Sequence, residues 1–365
     1  MLHRLFHNTL LTINISVGFL LLLSTLASFI SPVHAWLFVL FGLAYPLLLV
    51  CNIFFVIYWA VRRKKWIIIS VVLILVSWKQ LHSFYQLPVF NTKEKKMSHQ
   101  LRLITYNVRA FNRFNWAKDK KAKEHILRFL AENDPDVICL QEYFEPKEGG
   151  LPDPSIQALF RHYPYRHVFY TAKSPKLNFG IVTLSRYPIA SKGSIRFNQT
   201  RNISIYTDII VSNDTVRIYN NHLQSIHLGN KDYTLIDTLS PVSYNDKEVS
   251  RFKNILSRFI DASKKRSVQA DQVSTHIEHC THPVIVCGDF NDTPSSYTYH
   301  RIRDGLKDAF IESGKGIGNT YFGLLPSFRI DYIFHSRCIN SFNLNVYKLP
   351  YSDHFPLQCR FEWEK

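Results

Sequence analysis

The chain has 365 residues, 46% of them hydrophobic, with a mean hydropathy of −0.08 and a net charge of +16. That length holds one large domain or two ordinary ones, and six cysteines without tight spacing exclude a disulfide framework. The charge is uneven: residues 1–97 carry nine Lys/Arg and one acid, leaving 35 basic and 27 acidic side chains, a surplus of +8, for the remaining 268. A domain of that basicity suits a polyanionic substrate or an anionic membrane surface.

Leu10–Ile30 and Trp36–Val61 are 21 and 26 residues without a charge. At about 1.5 Å per residue, each can cross a hydrocarbon core of roughly 30 Å. The third stretch, Trp66–Trp78, has only 13 such residues and reaches Leu87 by including Lys79, Gln80 and His82. It reads as a span whose polar tail snorkels to the interface. Residues 1–87 are therefore expected to form a transmembrane region of two to three helices. "RRKK" (62–65) fills the loop between the second and third spans, whereas "SPVHA" has no Lys or Arg. The positive-inside rule puts the tetrad in the cytoplasm and the rest of the chain on the non-cytoplasmic side of a plasma or inner membrane. Lys93, Lys95 and Lys96 pull mildly the other way. "VHA" before Trp36 resembles a signal-peptidase site, and cleavage there would leave that placement unchanged.

Residues 88–100 are polar and aperiodic and read as a linker, and 101–365 as one further domain. "LRLITYN" (101–107) alternates like a strand, 117–132 carries a helical apolar face, and "PDVICLQE" (135–142) is a buried strand ending in a carboxylate. "FGIVTLS" (179–185), "ISIYTDIIV" (203–211) and "TVRIYNNHL" (215–223) are strands. Val249, Phe252, Ile255, Leu256, Phe259 and Ile260 mark an amphipathic helix. "PVIVCGD", "FRIDYIF" (328–334), "FNLNVYKL" (342–349) and "FPLQCRFEW" (355–363) complete the series. Cys139, Cys287 and Cys359 lie in or beside apolar runs, where Cys behaves as a small hydrophobe. Strands with a few interleaved helices point to an α/β or α+β sandwich.

Several strands stop at residues that bind metal or move protons. Asn107, Glu142, Asn220 with His222, and Asp289 with Asn291 each end a strand, and Asp353 with His354 precede the last. Singly, such residues cap turns or pack. Asp331 differs, because an acid inside a Tyr/Ile/Phe strand is costly without a partner. Hard oxygen donors such as Glu142, Asp289 and Asp353 suit Mg²⁺ or Mn²⁺. Two histidines, with an acid to orient one, suit proton transfer and phosphate contact. A metal-assisted phosphodiesterase uses this set.

In order, "TYN", "LQE", "FGIVTLSRYPI", "NNHL", "GDFN", "RIDYIF" and "SDH" resemble the endonuclease/exonuclease/phosphatase superfamily, the fold of pancreatic-type deoxyribonuclease. The resemblance covers roughly residues 100–363. It implies a four-layered α/β sandwich, two packed β-sheets flanked by helices, and phosphoester hydrolysis by metal-activated water. It implies Glu142 as principal metal ligand with Asn107 beside it and Asp353 in support. Asp289 would lie at the metal and activate the attacking water, with Asn291 orienting the phosphate. His354 would contact the scissile phosphate, held by Asp331. His222 would sit near the leaving oxygen, with Asn220 a secondary substrate contact. Asp292, in "DTP", starts a turn or a helix and falls outside the set.

Other clusters carry weaker signals. "THIEHCTH" (275–282) gathers His276, His279, Cys280 and His282 at no standard metal spacing. "KDKKAKEH" (118–125) and "KKR" (264–266) read as solvated helix faces rather than phosphate-backbone contacts, and Phe111, Phe114 and Trp116 as packing in a loop rather than contacts to a base or lipid. Segment 224–248 is the expected substrate-selecting loop. The substrate itself stays open. "SDH" disfavours an inositol-polyphosphate phosphatase, whose family members carry an Asp-Arg pair there. The basic surplus favours nucleic acid, whereas the membrane region favours a sphingomyelinase-like phospholipid phosphodiesterase. A non-catalytic, membrane-anchored binding module is the third class.

Overall fold

The computed structural model describes residues 2–87, 99–114, 119–148, 151–174, 177–226, 246–322 and 328–364. Trp116 and most of the expected substrate-selecting loop lie outside them. Two N-terminal helices, α1 (Leu2–Leu26) and α2 (Leu37–Val61), are long and apolar enough to cross a membrane. Among apolar surroundings helices gain little from hydrophobic burial, so interhelical hydrogen bonds and close approach must hold them. The sequence supplies both. Asn14 donates to Ser70 (2.7 Å) and accepts from the Trp59 indole (2.9 Å), and a Cβ on Gly18 would lie 2.4 Å from Leu73. The third stretch is not one continuous rod. It breaks at Ser77 into α3 (Ile67–Val76) and α4 (Trp78–Phe84), bent by 67°. The Tyr45 hydroxyl donates to the Ser77 carbonyl at the break (3.3 Å). The expected snorkelling tail is thus a separate short helix.

The rest of the chain runs β1 (Tyr85–Gln86), β2 (His99–Asn107), α5 (Ala122–Asn133), β3 (Val137–Glu148), β4 (Leu151–Pro152), α6 (Pro154–His162), β5 (Tyr165–Lys173) and β6 (Leu177–Ser185). It continues with β7 (Ile189–Arg196), β8 (Ile203–Val211), β9 (Asp214–His222), a long helix Asp246–Glu278, β10 (Val284–Asp289), a helix Tyr297–Arg303 and β11 (Lys307–Asp308). A short helix Ala309–Ser313, β12 (Gly316–Ile317), β13 (Asp331–His335), β14 (Asn340–Val346) and β15 (Leu357–Trp363) finish it. The helix anticipated from Val249 to Ile260 continues to Glu278, and the one anticipated over 117–132 is Ala122–Asn133.

One sheet has the order β14-β15-β2-β3-β6-β5 with β4 on β3, and the other β11-β13-β10-β9-β8-β7. The pairs β2–β3 and β9–β10 are parallel, and the other pairs within these sheets are antiparallel. A parallel pair needs a long crossover. Here α5 supplies the first and the helix Asp246–Glu278 lies in the second. Strand alternation sends Leu103, Cys139, Ile218, Ile285, Cys287 and Cys359 into one core between the sheets. On the outer faces, Ile126 and Leu130 of α5 meet Ile104 and Ile138, and Ala270 and Val273 of the long helix meet Val286 and Tyr219. The result is a four-layered α/β sandwich.

Candidate active site

The two sheets aim their polar strand ends at one point. Asp289 ends β10 in register with His222 on β9 and with Asp331 on β13. Three neighbouring strands thus deliver three reactive side chains side by side. Gly288 makes this register possible. Its φ is +123°, and a Cβ there would fall 2.1 Å from the Asn221 carbonyl oxygen. From the other sheet, Asn107 ends β2, and Glu142 sits at an irregularity in β3 with φ 49°. Such a bulge re-aims a side chain out of strand alternation. The "SDH" loop is tied to the same point, because Ser352 donates to the Asn107 carbonyl (2.8 Å).

The Asn107 amide nitrogen donates to Asp289 (2.9 Å) and Glu142 (3.3 Å). His222 Nε2 lies 3.7 Å from Glu142 and 3.9 Å from Asp289. His354 Nδ1 bonds Asp331 (2.9 Å), and its Nε2 is 3.7 Å from Asp289. Asp331, which the structure places at the start of β13 rather than inside it, has its partner in that imidazole. Asn291 donates its backbone N–H to Asp289 (2.8 Å) and its side-chain amide to the Leu223 carbonyl (3.0 Å). Asp353 pairs with Arg109. Asn220 does not reach the mouth. It is fully buried between the sheets, accepting from Gln141 (2.7 Å) and donating to the Val182 carbonyl (2.9 Å).

Burial and crowding set the charges. Asp289 is 1% exposed, and burial pushes its carboxyl up to about 7, against the pull of His354. Burial likewise raises Asp353, with His354 and Arg109 opposing it. Burial disfavours a charged His354, yet the carboxylates of Asp331 and Asp289 prevail and hold its pKa well above the ordinary imidazole value.

Asp289, Asp331 and His354 can offer ligand atoms within 4.8 Å of one another and, among the described residues, form the single such His/Cys/Asp/Glu grouping. A divalent cation fits this convergence, because Glu142 and Asp289 are hard donors crowded beside two further acids. The oxygen-rich Glu142–Asp289 side offers harder donors than the trio does, since His354 is already engaged by Asp331. In the arrangement seen, the Asn107 oxygen accepts from the Arg109 N–H (3.0 Å). Asn107 therefore spaces the two carboxylates with its nitrogen.

Other clusters resolve locally. His276 bonds the Tyr219 hydroxyl (2.8 Å), His279 the Thr275 carbonyl (2.7 Å), and Cys280 the His282 carbonyl (3.5 Å), so "THIEHCTH" does not converge. Arg266 of "KKR" corrects the surface reading: it is fully buried and donates to Asp292 (3.0 Å) and the Gln224 carbonyl (3.0 Å), pinning the loop after Asp289. Neither Arg266 nor Arg109 carried a sequence signal beyond its charge.

Residues 104–354 match the Endonuclease/Exonuclease/phosphatase family, and the chain belongs to it. Its members are in general hydrolases acting on phosphoester bonds. Residues 6–84 match a separate domain of unknown function, DUF8431. No curated protein matches the chain. Among solved structures, an endonuclease/exonuclease/phosphatase from Bacteroides vulgatus is 16% identical (TM-score 0.52), over 73% of this chain and 99% of that one. The human Nocturnin catalytic domain, with bound sulfate, is 20% identical (TM-score 0.51), over 74% and 96%. D. rerio TDP2, complexed with a single-strand DNA product, is 18% identical (TM-score 0.50), over 72% and 99%. At these identities the likeness is one of fold.

Proposed function

We propose that the chain is a membrane-anchored phosphodiester hydrolase of the endonuclease type, dependent on Mg²⁺ or Mn²⁺. The observation that carries this reading is buried Asp289, flanked in register by His222 and Asp331, with His354 held by Asp331. Glu142 and Asp289 would hold the metal, with Asn107 and Asp353 beside them, and the bound ion would polarise a phosphoryl oxygen and acidify water. Asp289 takes the water proton, and Asn291, whose amide is engaged by the Leu223 carbonyl and Asp289, acts on the phosphate by fixing the Asp289 carboxylate. His354, kept protonated by two carboxylates, donates to the phosphate as charge builds. His222 stands on the far side, toward the leaving oxygen. Asn220 supports the floor by joining the sheets.

Nucleic acid is the favoured polyanion. Support comes from the surplus of basic side chains in residues 98–365 and from the DNA product bound by TDP2. A phospholipid headgroup is the second reading, and one observation favours it. Ser295, in the loop after Asp289, contacts Gly42 of α2. Gly42 lies 20 residues before Arg62, and at about 1.5 Å per residue that is about 30 Å, one hydrocarbon thickness. With "RRKK" in one headgroup layer, Ser295 would lie in the other.

The full chain in lipid nanodiscs, offered plasmid DNA, RNA and sphingomyelin with Mn²⁺ or EDTA, tests the proposal. Metal-dependent cleavage of nucleic acid is expected. Cleavage of lipid alone would replace it with the second reading, and no cleavage would return the chain to the binding-module class.

A further inference from the structure

The apolar helices meet the catalytic domain through residues that lead straight to the site. Ser295 is buried six residues after Asp289. Its hydroxyl donates to the Gly42 carbonyl (2.7 Å), and its carbonyl accepts from the Ser28 hydroxyl (3.2 Å). A Cβ on Gly42 would lie 3.1 Å from the Ser295 oxygen and 3.2 Å from Ala27. Arg329, two residues before Asp331, is buried, pairs with Asp308 (2.5 Å) and donates to the Ser83 carbonyl of α4 (2.8 Å). The Tyr299 hydroxyl, bonded to Asp308 (2.7 Å), also reaches Ser83 (3.3 Å).

The two contact points are coupled to each other beneath the carboxylates. The Tyr332 hydroxyl lies 2.7 Å from both the Arg329 and Asp292 carbonyls, and the Phe290 N–H donates to the Ile330 carbonyl (2.9 Å). β1, which follows α4, pairs with β12, and Tyr321, four residues beyond β12, bridges to His354. A flexible tether would need none of these bonds, since water would satisfy the same groups.

We propose that the N-terminal helices are a working part of the active-site frame: Ser28, Gly42 and Ser83 clamp Ser295 and Arg329, keeping Asp289 and Asp331 in register. Ser295 and Arg329 are positioning residues, acting through the two acids. The inference takes its reaction from the function proposed above, but the clamp is tested separately from it.

The experiment uses the full chain in nanodiscs carrying Gly42→Ala, Gly42→Leu or the lipid-exposed control Leu47→Ala. It reads kcat and KM on a small soluble aryl phosphodiester with Mn²⁺, and Mn²⁺ affinity by calorimetry. The clamp predicts that Gly42→Leu lowers kcat about tenfold or more at similar KM and weakens Mn²⁺ binding, with Gly42→Ala between it and wild type. Wild-type kcat and Mn²⁺ affinity in Gly42→Leu would reduce the helices to a tether and overturn the proposal. If the wild type leaves the diester intact, the reaction assignment fails and Mn²⁺ affinity still decides the clamp. Should Gly42→Leu not fold, Ser295→Ala removes the bond without added bulk. It must then shift the same readouts in the same direction, or the clamp is refuted.

Discussion

The proposed chemistry centres on Asp289, whose charge the fold makes expensive. Buried, with a carboxyl pushed up to about 7, it is costly for stability and, in the proposed reaction, poised to take a proton. Asp289→Asn is therefore expected to cut hydrolysis by about 10²–10⁴-fold while leaving the melting temperature unchanged or higher. His354→Ala contrasts with it. It strands Asp331 in its apolar strand, so activity and thermal stability should both fall, the latter by roughly 1–3 kcal/mol. Equal melting of both variants in calorimetry would deny that distinction. The candidate site residues were readable because each pairs a reactive side chain with a strand end. Asn220 was misjudged as a substrate contact because the opposite sheet, not its own strand, decides its burial. Arg266 was misjudged because a basic triplet does not announce which member turns inward.

Elements were legible where a period was clean. β10 is buried at every position, as its apolar run implies. The long helix was cut short at Ile260 because its second half mixes charged residues with small ones such as Ala262 and Ala270, which pack without advertising a stripe. The bend at Ser77 is met by a hydrogen bond from Tyr45 of another helix, which no local pattern records. Short elements also carry stability. Glu312, on the helix Ala309–Ser313, pairs with Lys307 (2.9 Å) and His335 (3.0 Å) and accepts from the Ser341 N–H (2.7 Å). Burial would raise its pKa, but the bonds from His335, Ser341 and Lys307 outweigh that and hold it down to about 2, against an ordinary 4.5. A depressed carboxylate stabilises the fold above its unfolded value and loses that contribution as pH falls toward its folded value. Glu312→Gln should thus cost roughly 1–2 kcal/mol at pH 7, after discounting for solvent screening, and progressively less between pH 4.5 and 2. Melting curves at pH 7 and pH 3 check this, and an equal loss at both would remove the carboxylate's role.

At the scale of the molecule, two modules meet at one end. The turn after α1, the start of α2 and the end of α4 all touch the catalytic domain, while "RRKK" lies at the opposite end of α2. A C-terminal reporter is expected to be active only on the non-cytoplasmic side, and a cytoplasmic signal would invert the proposed orientation. Asp289 is proposed to centre a metal-dependent phosphoester hydrolysis. The most direct test is turnover of an aryl phosphodiester by the full chain in nanodiscs, wild type and Asp289→Asn, each with Mn²⁺ or EDTA. Turnover is expected in wild type with Mn²⁺ alone. Turnover in EDTA, or equal turnover by Asp289→Asn, would contradict it.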